Sequence, residues 1–110
     1  MELTSKQRAQ LRGMANTIDT ILHVGKEGVT EAVIQQANEA LEARELVKGR
    51  VLENSLLTAR EACDQLTLPT RSEPVQVIGS KFVLYRETHS KPKDKRIALV
   101  KDKPRRERKA

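Results

Sequence analysis

Two glycines three residues apart bracket a lysine and a glutamate at Gly25-Lys26-Glu27-Gly28, and Thr30 follows. These residue types at this spacing suit the capture of an anion. Glycine reaches positive φ and has no Cβ to hold a ligand away from the backbone. A helix opening at Thr30 would offer unpaired N–H groups and the positive end of its dipole. A phosphate can settle there. Lys26 would add a point charge and a donor, whereas Glu27 opposes a phosphate unless it points to solvent. At an average glycine frequency of ~7%, such a pair is common by chance. The same residues therefore also read as a tight strand-to-helix turn in which Gly25 and Gly28 serve only geometry. The Walker pattern G-x-x-x-x-G-K-[ST] and the dinucleotide pattern G-x-G-x-x-G are both absent.

The elements that must position this loop are legible on either side of it. Thr20–Val24, "TILHV", is short and β-prone and predicts a strand. Thr30 caps a predicted helix to about Arg44, with Val29, Val33, Ile34, Ala37, Ala40 and Leu41 on one side. Glu31, Glu39 and Glu42 lie on the other side, so a phosphate backbone should meet the start of this helix and not its flank. Upstream, Thr4-Ser5-Lys6-Gln7 is a capping box opening a helix to about Ala15. Arg8 and Arg12 flank its apolar arc of Leu11, Met14, Ala15 and Ile18. Downstream, "ELVKGRVL" predicts a second strand, with Gly49 as the mark of a bulge. Thr58-Ala59-Arg60-Glu61 opens a third helix, with Ala59, Ala62, Cys63 and Leu66 inward and a stop expected before Pro69. "PVQVIG" and "KFVLYR" form a hairpin across Gly79-Ser80, a pair suited to a type II′ turn. The order α-β-α-β-α-β-β predicts one small α/β domain with a four-stranded mixed sheet and three helices.

The chain has 110 residues and a net charge of +6. Residues 87–110 hold ten Lys/Arg against four Asp/Glu and carry the whole excess. Residues 1–86 hold eleven of each sign. The expected division is a folded domain over 1–87 and a basic, mostly disordered tail over 88–110, interrupted only by the apolar "RIALV". Tail cations placed to touch RNA are Lys91, Lys93, Lys95, Arg96, Arg105, Arg106, Arg108 and Lys109. The only aromatic residues, Phe82 and Tyr85, fall on opposite faces of the last strand. A sheet that stacks bases on several aromatics is thereby excluded, and contact should fall on phosphate, sugar and shape. No apolar run approaches the ~20 residues of a membrane span, and no signal-peptide core is visible. A single cysteine, Cys63, forbids an internal disulfide and suits a reducing, cytoplasmic home. His23 has no cysteine or second histidine nearby for a metal site. Lys48 and Arg50 alternate on one strand face and read as its solvent side.

A G-x-x-G loop on a small α/β domain resembles the KH module, whose loop clamps nucleotide backbone. The longer stretches "LTSKQRAQLRGMAN", "ILHVGKEGVTEAVI", "ALEARELVKGRVL" and "VQVIGSKFVLYR" resemble the YhbY-like family, the CRM domain of bacterial, archaeal and plant-organelle RNA-binding proteins. They cover most of residues 3–86 in order. The resemblance implies a fold like the C-terminal domain of bacterial translation initiation factor three. It implies RNA binding, in stand-alone bacterial members on the precursor of the large ribosomal subunit. The family's G-K-x-G loop corresponds to Gly25, Lys26, Glu27 and Gly28, and its first-helix signature to Lys6, Gln7, Arg8, Leu11 and Arg12. Gly49 stands where the family carries an aliphatic residue.

The expected protein is a monomeric, non-enzymatic RNA-binding module for large-subunit assembly, without cofactor or metal. Alternatives are an RNA chaperone or intron-splicing factor on non-ribosomal RNA, and a protein-interaction adaptor with a basic tail. No nucleophile–base pair or metal cluster argues for an enzyme.

Overall fold

The computed structural model describes residues 3–89, 92 and 96–101. Its elements are α1 (Ser5–Ala15), β1 (Thr20–Val24), α2 (Glu31–Arg44), β2 (Leu46–Val51), α3 (Ala59–Thr70), β3 (Glu73–Ile78) and β4 (Lys81–Tyr85). This is the expected order. Each helix starts on a threonine cap. Thr4 and Thr58 accept from the N3 amides of Gln7 and Glu61, whose side chains accept from the cap N–H groups in return. Thr30 accepts from the Val33 amide at 3.3 Å. Each cap contributes about 1 kcal/mol.

The strands lie in the order β1-β2-β4-β3. β1 and β2 pair in parallel across the α2 crossover, and β4 runs antiparallel to both β2 and β3. The first three strands therefore point the same way. Their carboxyl ends gather the 25–30 loop, the 52–58 connection and the Gly79-Ser80 hairpin at one end of the sheet. In the hairpin Gly79 has φ 59° and Ser80 is not left-handed, as a type II′ turn requires.

The period-2 alternation of the strands divides the core in two. On one face Leu22, Val24, Val47, Val51, Phe82 and Leu84 pack under α2 and α3 with Ala37, Leu41, Ala59, Ala62, Cys63 and Leu66. On the other, Leu46, Val75, Val83 and Tyr85 pack under α1 with Leu3, Leu11 and Ala15. Phe82 and Tyr85 thus face opposite ways, as expected, and both are buried. Burial raises the Cys63 thiol to about 11, with the Asp64 charge adding to the shift. Tyr85 is raised to about 12, again first by burial and then by the charge of Glu45.

Two local expectations need correction. Gly49 marks no bulge in β2: the irregularity of this pair lies in β1, between Thr20 and Leu22. Its reason is a close approach instead. A Cβ on Gly49 would stand 2.4 Å from Cζ of the buried Phe82 ring. α3 also does not stop before Pro69 but runs through it to Thr70. Pro69 sits in the last turn, where its missing N–H leaves only one carbonyl without an amide partner and solvent is close. The Thr70 hydroxyl donates to the Leu66 carbonyl and reinforces that turn. Arg71 then takes the left-handed position (φ 56°), and Ser72 N–H reaches back to the Thr67 carbonyl at 3.1 Å. Glycine is the usual residue for that position.

The chain after β4 does not leave the domain at once. Glu45, buried at the end of α2 with φ 67°, accepts from Thr88 N–H at 2.9 Å and from Ile97 N–H at 2.7 Å. Ile97 and Leu99 pack on the α1-side core. Val100 N–H donates to the Gln10 side chain at 2.8 Å. A boundary drawn after residue 87 on composition is crossed by these contacts.

Candidate nucleic-acid interface

The 25–30 loop is a hydrogen-bonded turn followed by a capped helix. Gly28 N–H donates to the Gly25 carbonyl at 3.0 Å, and Gly28 has φ 74°. Leu52 N–H donates to the Val24 carbonyl and so fixes the end of β1 against the chain leaving β2. Thr30 occupies the Val33 amide. That leaves the first-turn N–H groups of Glu31 and Ala32 beyond the reach of intrahelical acceptors. Gly25, Lys26, Glu27, Gly28, Thr30 and Val33 line an open concavity of about 270 Å³. Lys26 and Glu27 are exposed and bond to no described residue.

The two glycines of the loop have different causes. Gly28 is required by its backbone, since a side chain at positive φ is strained. Gly25 is not left-handed, and a Cβ there would meet only Asn54 Oδ1 and Leu52 Cδ1, both at 3.8 Å. That is ordinary contact, so the fold itself tolerates a methyl group at Gly25.

The first-helix residues are elsewhere. α1 lies across the face opposite α2 and α3. Arg8 Nη1 donates to the Pro74 carbonyl, near the start of β3. By the strand register that point lies four residues along and three strands across from the end of β1, on the order of 20 Å away. Gln7 is consumed by the capping box and by the Val100 carbonyl, to which Nε2 donates at 3.0 Å. Lys6 and Arg12 are exposed and bond to no described residue. The structure therefore brings Gly25, Lys26, Glu27, Gly28 and Thr30 together at the start of α2, and carries Lys6, Gln7, Arg8 and Arg12 on α1, which packs on the other face of the sheet. Of the tail residues, Arg96 pairs with Glu87 at 3.8 Å. Lys91, Lys93, Lys95, Arg105, Arg106, Arg108 and Lys109 lie outside the described residues.

The model of the CRS1/YhbY (CRM) domain matches residues 3–86. The chain belongs to that family. Probable RNA-binding protein YqeI of Bacillus subtilis is 44% identical over 86 residues, covering 78% of this chain and 90% of its own length. An RNA-binding protein of Haemophilus influenzae is 32% identical over 84 residues, 76% of this chain and 85% of that protein. The solution structure of the hypothetical protein SAV1595 from Staphylococcus aureus superposes with a TM-score of 0.73 at 44% identity, covering 90% of this chain and all of that one. The fold of this CRM domain is thus shared with a structure solved independently.

Two other basic side chains of the domain, Lys48 and Arg86, are committed to contacts within it. Lys48 Nζ donates to the Ala15 carbonyl at 3.0 Å and closes α1. Arg86 ties α2 to the end of α3, donating to Asn38 Oδ1 at 2.9 Å and to the Thr70 carbonyl at 2.8 Å. Sequence reasoning did not find that role for Arg86, and only its place just after a buried strand hinted at it. Among the described residues no group of three or more His, Cys, Asp or Glu is placed to hold a metal ion. No described helix is long and apolar enough to cross a membrane.

Proposed function

We propose that this CRM domain is a non-enzymatic RNA-binding module of the cytoplasm that assists assembly of the large ribosomal subunit. RNA backbone seats on the Gly25–Thr30 loop at the start of α2. The observation that carries the reading is Gly25: the fold has room for a methyl there, so the bare backbone suits an approach from outside. First-turn amides without intrahelical acceptors, a Lys26 that bonds to no described residue and the positive end of a 14-residue helix make that approach favourable for a phosphate. The relatives are named RNA-binding proteins, which supports the same class of ligand. With both aromatics buried, sequence discrimination by stacking is weak, and affinity rests on phosphate contacts.

The test is a salt titration of the full chain on single-stranded RNA. Four to six phosphate contacts give log K against log salt a slope of roughly −3 to −4. Lys26→Glu should weaken binding at least about ten-fold with the fold intact, since the charge adds to phosphate affinity and touches no core residue. Unchanged affinity would reject the loop. The ribosomal assignment is tested separately. In lysate gradients the protein should co-sediment with precursor large subunits, and association only with other RNAs would favour the chaperone or splicing role.

A further inference from the structure

We infer that RNA backbone continues from the loop onto the outer face of the sheet, along a cross-strand row formed by His23, Arg50 and Lys81. The inference rests on the loop reading and extends it.

The row follows from the register. His23 is the parallel partner of Arg50, and Arg50 is the antiparallel partner of Lys81. Directly paired residues on neighbouring strands project to the same face. This is the α1 side, because Val83 and Leu46, in step with Lys81 and Arg50, pack under α1. α1 ends short of the row: its last turn is held over Lys48, one row further back. All three side chains are exposed, and none bonds to a described residue. Ile78, the partner of Lys81 on β3, continues the row and is 61% exposed.

The fold gains nothing from this arrangement. Like charges directly opposite each other on paired strands are destabilising. A solvated sheet face ordinarily offsets a cation with a carboxylate across the strand. Here the positions beside Arg50 hold His23 and Lys81, and the row behind holds Lys48, Val83 and Gln76. The acids nearest in the chain lie outside the strands, Asp19 before the start of β1 and Glu27 and Glu53 past the ends of β1 and β2. Among the described residues no acid bonds to this row, and a phosphate backbone would supply the counter-charge.

The dimensions fit one nucleic-acid strand. At about 4.8 Å between strands the row spans roughly 10 Å, which matches about three phosphate-to-phosphate steps of ~3.4 Å along a stacked strand. No exposed aromatic is available on this face, since Tyr85 is buried beneath α1. The contact is therefore with sugar and phosphate. It is also continuous with the loop, because His23 lies two residues before Gly25.

The experiment uses the full chain and labelled oligouridylates of four and twelve nucleotides. The short oligomer reports the loop and the long one reports loop and row. The double variant Arg50→Ala/Lys81→Ala should lose about ten-fold in affinity for the twelve-mer. Its salt slope should become shallower by about 1.4, the value for two phosphate contacts on a single strand. Its four-mer affinity should stay at the wild-type value, and its thermal midpoint should hold or rise as the like-charge pair is removed. Lys26→Glu should weaken both oligomers. If the double variant keeps wild-type affinity and slope on the twelve-mer while Lys26→Glu weakens both, the row is not used and the loop reading stands alone. A drop in the double variant's midpoint would assign these charges to the fold and likewise overturn the inference. Should the wild type bind neither oligomer, the loop reading fails first and carries this one with it.

Discussion

The glycine loop and the first helix are both rich in polar residues, but the fold uses them in opposite ways. Around the loop, Lys26 and Glu27 bond to nothing described, and Gly25 fills no steric need. In α1, Gln7 is held at both ends of its amide, and Arg8 is spent on a backbone carbonyl of β3. A guanidinium tied to one backbone carbonyl keeps its charge and its other donors, but it is held in place and less able to follow a phosphate. In the helix signature, Lys6 and Arg12 are the cations that bond to no described residue. Charge and proximity to a motif alone do not single out a contact residue; freedom from intramolecular partners is a second criterion, and it separates Lys26 from Arg8.

Three substitutions sharpen this contrast between committed and free residues. Gly49→Ala should have the largest effect on stability, a loss of about 3 kcal/mol or more, because the new methyl meets a Phe82 ring that has no room to move. Urea unfolding followed by circular dichroism measures it. A near-neutral result would mean that the close approach of the ring is not what places glycine there. Arg8→Ala comes next, with a loss of roughly 2 kcal/mol from the charged hydrogen bond to Pro74. RNA affinity of the folded variant should change less than two-fold, and a larger fall would return Arg8 to the interface. Gly25→Ala should be the smallest in stability, within about 0.5 kcal/mol of the parent, as for surface changes that disturb no packing. Its RNA affinity should nevertheless drop several-fold in the same titration. Loss of stability without loss of affinity would invert the contrast.

The legibility of the sequence follows the range of the forces involved. Helix starts at Thr4, Thr30 and Thr58 were readable because a cap and its partners lie within three residues. The hairpin was readable from Gly79 for the same reason. Pro69 misled because the cost of proline depends on its place in a helix, and the last turn has few amides left to lose. Gly49 misled because its cause, Phe82, sits on a strand more than thirty residues later. "RIALV" gave only a hint of its packing, since Ile97 and Leu99 find their core through a buried carboxylate at Glu45.

By itself the sequence determined the element order, the two apolar faces of the strands and the loop that joins β1 to α2. These rest on periodicity and on contacts among near neighbours. Only the tertiary structure decided which cations are free. Gln7 meets Val100 across 93 residues, Arg8 meets Pro74 across 66, and Lys48 meets Ala15 across 33. Strand register likewise decided that Arg50 and Lys81 stand side by side. Such partnerships join residues that share no local pattern, so they exist only once the chain has closed on itself.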